Sequence, residues 1–160
     1  MSATGIWVIG AIPDEAARRL ASQAADATDA ETDAIEDLQD AAADLMADQG
    51  SPFVAVARKA NPVEALCNAL GTDAMRALPG VRGNFILTAD EVAAALPEVE
   101  AVLDVPPTRR AELLTRITTW MTETGDDPGF DAAELLDAPL RILREAASSF
   151  SGAAAFTRWY

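Results

Sequence analysis

Histidine is absent from the 160 residues, and cysteine, lysine and tyrosine occur once each. Without histidine there is no Ser-His-Asp or Cys-His catalytic arrangement, no His-based zinc site and no usual neutral-pH proton shuttle. The lone Cys67 excludes an internal disulfide framework and fits a reducing compartment. It sits between Leu66 and Leu70 in "VEALCNAL" and reads as a buried structural thiol, not a nucleophile without a base. No window approaches the ~18 apolar residues of a membrane span, and "MSATGIWVIGAIPDEAARR" lacks the basic leader of a signal peptide, so a cytoplasmic location is expected. Positive charge is scarce as well. Twelve Lys and Arg against 26 Asp and Glu leave a net charge of −14, which disfavours direct binding to nucleic acid or anionic lipid and favours cations or basic proteins as partners.

Half of the residues are hydrophobic and 24% are charged, the composition of a globular chain, and the length suits a single domain over residues 1–160. "GIWVIGAI" at 5–12 predicts a buried strand, and Pro13 the start of a helix carrying Ala16, Ala17 and Leu20 at helical spacing. Thr28 with Glu31 forms a capping box that opens a second helix running to about Asp48. "FVAVAR" at 53–58 predicts the next strand. In "NPVEALCNALG", Asn61 serves as cap, Pro62 as first helical residue and Gly71 as terminator.

"NFILT" at 84–88 predicts a third strand, and Thr88 with Glu91 caps a helix that Pro97 should break or kink. Leu113, Leu114, Ile117, Trp120 and Met121 share one stripe of a helix capped by Thr108. After the loop "TGDDPGF", Asp131 and Glu134 cap a last helix interrupted by Pro139 and ended by Gly152, with a terminal strand at 153–159. Strands alternating with helices predict an α/β fold: one compact domain whose four short strands form a mixed, partly parallel sheet with helices packed on it.

The most distinctive stretch is "DATDAETDAIEDLQDAAADLMADQG" at 26–50, with nine carboxylates and no base. At about 100° per residue, Asp29, Asp33, Glu36, Asp37, Asp40, Asp44 and Asp48 share an arc of roughly 120°, opposite Ile35, Leu38, Ala42, Leu45 and Met46. The like-charge i,i+4 pairs along that arc cost about 0.2–0.5 kcal/mol each, or about 1–2.5 kcal/mol for the five. Burial of the apolar side offsets this at ~1.5–3 kcal/mol per large side chain. Two readings follow. The face is a solvated surface that serves solubility, or it is a docking surface for a basic protein, with nucleic-acid mimicry as a special form.

Asp33, Glu36, Asp37, Asp40 and Asp44 are therefore the candidate partner-binding residues, and the expected role is that of an inhibitor, immunity protein or antitoxin toward a basic protein. The alternative is a small-molecule pocket protein or an enzyme, with an anion site where Arg58, Lys59 and Asn61 join a strand end to a helix start. That loop lacks the glycines of a phosphate cradle, and "LPGVRGN" reads as a turn. Glu98 with Glu100, and Asp126 with Asp127, lack a cation-binding loop around them, so neither metal nor cofactor is expected. The C-terminal Trp159 and Tyr160 can anchor an interface if exposed, and a homodimer is compatible with the composition.

Overall fold

The structure, a computed structural model, describes residues 3–26, 32–125 and 130–160. The Thr28–Glu31 capping box, Asp29 and the Asp126–Asp127 pair lie outside the described residues. The chain runs β1 (Gly5–Ile12), α1 (Asp14–Asp26), α2 (Thr32–Gln49), β2 (Phe53–Ala57), α3 (Pro62–Leu70), α4 (Thr72–Arg76), β3 (Phe85–Leu87), α5 (Ala89–Leu103), α6 (Pro107–Glu123), α7 (Glu134–Ser148) and β4 (Gly152–Trp159). Among the described residues no helix is long and apolar enough to cross a membrane.

The strands form one sheet in the order β2-β1-β4-β3, giving a single compact α/β fold. Every pairing is antiparallel, which corrects the expectation of a mixed, partly parallel sheet. A single crossover helix would return the chain to start a parallel neighbour. Here two successive helices, α1 and α2, bring the chain back into the sheet reversed between β1 and β2, and three, α5, α6 and α7, do so between β3 and β4.

Alternation along β1 assigns its two faces. Trp7 and Ile9, with Phe53, Ala55, Ala57, Ala153 and Ala155, enter a large core against α3, α5, α6 and α7. Val8 and Ile12, with Ala154 and Phe156, enter a smaller core with Ala17, Leu20, Ala42 and Met46 of α1 and α2. Trp7 ties the larger core to the loop before β3 by donating its indole N–H to Gly83 O at 3.0 Å, and its ring meets Phe53 edge-on at 6.1 Å. On the other face Gly10 is required for close approach, because a Cβ there would lie 2.5 Å from the Met46 side chain.

Asn61 caps α3 and the Thr88–Glu91 capping box forms at α5 as expected, and Glu64 completes a second box with Asn61. Pro97 does not break α5, which continues from Ala89 to Leu103. Pro97 and Ala93, whose carbonyl loses its helical donor, are both exposed, so water can serve that carbonyl. Thr108 is not a cap: α6 starts one residue earlier, with Pro107 in the first-turn position that needs no N–H. Asp131 Oδ1 accepts the Ala133 N–H in the turn ahead of α7, whose own N-cap Ala133 has no side-chain bond.

The end of α7 also departs from expectation. The left-handed residue after the helix is Phe150 (φ 53°), not Gly152, and the Ser151 N–H closes onto Ala146 O at 2.8 Å. A side chain in that conformation costs about 1 kcal/mol, and Phe150, 64% exposed, regains little of it through burial. Phe150→Gly is expected to raise stability by about 0.5–1 kcal/mol, read as a higher urea midpoint at unchanged m-value.

Asp14 ties the two layers together: its Oδ1 accepts the Ala89 N–H at the start of α5 at 2.7 Å, and its Oδ2 accepts from Arg18 Nε at 3.0 Å. The Ala89 bond first, then Arg18, holds the Asp14 carboxyl below its ordinary pKa. A depressed folded-state pKa gives stability that is present above the usual carboxylate range and is lost as pH falls through the folded value. Between pH 5 and 2, Asp14→Asn should therefore flatten the acid limb of stability against pH, as measured by urea unfolding, and a limb unchanged from wild type would sink this assignment.

Candidate functional site

Helix α2 lies over β1, while α1 lies over β4 and β3. Ala42 and Met46 are buried beneath α2, Leu38 and Leu45 are partly buried, and Asp33, Glu36, Asp37, Asp40, Asp44 and Asp48 are exposed. The described part of the acidic arc thus forms the outer side of the helix, as its spacing predicted, whereas Ile35, expected on the buried side, is 48% exposed.

One of these carboxylates is matched from within the protein. Arg158 of β4, with its side chain 22% exposed, reaches Asp40 Oδ1 at 2.8 Å, donates to Gln39 Oε1 at 2.8 Å and to the Glu36 carbonyl at 3.2 Å, and stacks over Phe156. It is the one cation paired with α2 among the described residues. The other ion pairs between described residues lie elsewhere: Arg18 with Asp14 and Asp90, Arg76 with Asp73, Arg109 and Arg116 with Glu112, Arg110 with Asp137, and Arg144 with Glu100 and Asp104. Asp33, Glu36, Asp37 and Asp44 enter no ion pair within that set.

Beside α2 the outer face of β2 is bare. Val54 and Val56 are 49% and 36% exposed, while Phe53, Ala55 and Ala57 on the other face are buried. On the other side of α2, a groove of about 490 Å³ opens toward β3, lined by Ala24, Ile35, Leu38, Gln39, Ile86 and Phe156 among others. A further groove of about 430 Å³ brings Arg110, Arg141 and Arg144 together with Asp104, Asp137 and Glu145, so its charges largely cancel.

Arg58 and Lys59 are exposed after β2, whereas Asn61 is buried and engaged in the fold. Its Oδ1 accepts the Val63 N–H at 3.2 Å and its Nδ2 donates to Ile6 O at 3.2 Å, which pins the start of α3 to β1. None of the three lines either groove. Cys67 is half-buried, and burial pushes its thiol pKa up, away from the thiolate a nucleophile needs. Among the described residues, no three His, Cys, Asp or Glu side chains cluster as a metal site would require. Comparison of the chain with protein-family models, with curated proteins and with solved structures gives no match in any of the three.

Sequence reasoning picked out the acidic row but missed Arg158, Gln39, Val54 and Val56. An arginine near a chain end carries no signal of its own, and "FVAVA" is apolar at every position, so its pattern does not say which face is open.

Removing the Arg158 guanidinium would leave Asp40 beside Glu36 and Asp44 with no nearby cation. Arg158→Gln is expected to destabilise the protein by about 1–2 kcal/mol at low ionic strength, and by less at high salt, where the carboxylates are screened. Urea midpoints at two salt concentrations test this, and a salt-independent loss would assign the effect to packing over Phe156 instead.

Proposed function

We propose that this protein is a small acidic binding protein that docks a basic protein partner on the outer side of α2, as an inhibitor, immunity protein or antitoxin does. One observation carries the reading: Asp33, Glu36, Asp37 and Asp44 stand exposed on one helix, outside every ion pair between described residues, while most of the scarce arginines pair with carboxylates elsewhere. A field of one sign on a single face attracts an oppositely charged partner over several ångströms and speeds its encounter.

Exposed ion pairs contribute only about 0–1 kcal/mol each, so carboxylates alone give steering more than affinity. Val54, Val56 and Ile35 at the margins of the same helix add the apolar contact that a durable complex needs. Charge and apolar surface together favour protein binding over a purely solubilising role.

Asp37→Lys combined with Asp44→Lys tests the reading and leaves the Arg158–Asp40 pair in place. Each substitution turns like-charge helix pairs into opposite ones, so the double variant should be more stable than wild type by about 1 kcal/mol. Its binding should move the other way. Tagged wild-type protein incubated with native lysate at low salt should retain a basic protein that high salt releases, and the variant should retain at least about tenfold less of it. Equal retention by both would remove α2 from the binding surface.

A further inference from the structure

We propose that the open edge of β2 receives an extended, lysine- or arginine-bearing segment of the basic partner as a fifth strand, whose basic side chains meet the near flank of α2. The proposal rests on α2 as the docking face, and adds where the partner lies and in what conformation.

β2 ends the order β2-β1-β4-β3, so its backbone pairs with β1 on one side, and among the described residues no strand pairs with the alternate N–H and C=O groups on the other. Proteins usually guard such an edge with a charge, a proline or a bulge inside the strand. "FVAVA" contains none of these; Pro52 stands before it and Arg58 after it. The other edge, β3, is only three residues long, and beside it the Asn84 side chain already accepts the Thr157 N–H of β4.

Register and helical geometry place the acidic residues against this edge. Val54 and Val56 lie opposite Val8 and Ile6 of β1, which face the α1–α2 layer, so the two exposed valines lie on the α2 side of the sheet. Gln39 and Asp40 turn toward β4, where Arg158 holds them. At about 100° per residue, Asp37, Asp44 and Asp48 lie about 40–80° round the helix from Asp40 on the side away from Gln39, the side of Ala41 and Leu45, which with α2 seated over β1 is the side toward β2. A bare edge, an apolar strip and three carboxylates therefore run side by side.

A strand added here would lie about 4.8 Å beyond β2, with every second side chain on the α2 side. A valine or isoleucine at those positions would cover Val54 and Val56, and a lysine or arginine could reach the aspartates. Main-chain bonds then provide affinity and the alternate side chains provide selectivity. A second copy of this chain fits poorly, because pairing β2 with β2 sets two acidic flanks on one face of a joined sheet, in molecules that each carry −14.

The test uses the full chain and three synthetic peptides: alternating lysine and valine, the same peptide N-methylated along one edge, and alternating glutamate and valine. Amide NMR at low ionic strength reads the binding site, and a titration reads Kd. The lysine–valine peptide should shift the amides of β2 and α2, bind at least about tenfold more tightly than its N-methylated form and weaken with salt, while the glutamate peptide should not bind. Val56→Lys should weaken it, and the unchanged spectrum of the larger core should show that the variant is folded.

Equal affinity for the methylated peptide overturns strand addition and leaves the basic-partner reading standing. No shift in β2 or α2 with millimolar lysine–valine peptide overturns both. A dimer that tightens as salt rises, with the β2 amides becoming protected from exchange, makes a second copy the occupant and overturns the proposal.

Discussion

The pairing of β1 with β4 is the constraint on which the rest depends. The two eight-residue strands run antiparallel from Gly5 opposite Trp159 to Ile12 opposite Gly152, and Thr4 and Tyr160 exchange backbone bonds of 2.7 and 2.8 Å beyond them. Joining segments so far apart in sequence has a large chain-entropy cost, which the burial of both faces must offset. Six of the eight residues of β1 and five of β4 are buried. This pairing leaves β2 and β3 as the edges and brings Arg158 under α2. The internal cation of the acidic helix thus comes from the last strand, and neither element is complete without the other.

Charge is distributed by the same logic. Asp14, Asp137, Glu100 and Asp104 join elements distant in the chain through arginines or a backbone N–H. These carboxylates hold the architecture together. The row on α2 does not, apart from Asp40, and its like-charge neighbours act against helix stability. The helix persists because Met46 and Ala42 are buried against the Val8 and Ile12 side of β1. A face that costs stability and joins no elements is the part of this molecule with most room for a role outside its own fold.

Much of the fold was legible in the sequence because its signals are local. Strands at 5–12, 53–58, 84–88 and 153–159 correspond to β1, β2, β3 and β4 within a residue or two, and the Asn61 and Thr88 boxes cap the helices they were read to cap. What failed depended on neighbours in space. The direction of pairing depends on which strands become neighbours in space, since β1 and β2 with two helices between them and β3 and β4 with three are both antiparallel, and Pro97 is tolerated because its surroundings are open to water. Asn61 illustrates the limit at the site: its role as a cap was visible in "NP", but the bond from its amide to Ile6 O, which leaves it buried and engaged, was not.

The bare edge and the acidic flank bear on each other in a way that neither does alone. An uncharged, valine-bearing edge invites pairing with any extended chain, including another copy of itself. Lysines on the strand would be the usual guard, yet they would also repel the basic segment proposed to bind there. Carboxylates on the neighbouring helix act differently: they repel a second acidic copy through its own flank and attract a cationic strand. The protection and the selectivity then come from the same aspartates. Under that proposal, the like-charge strain along α2 is the cost of keeping the edge open to one class of partner while closing it to self-association.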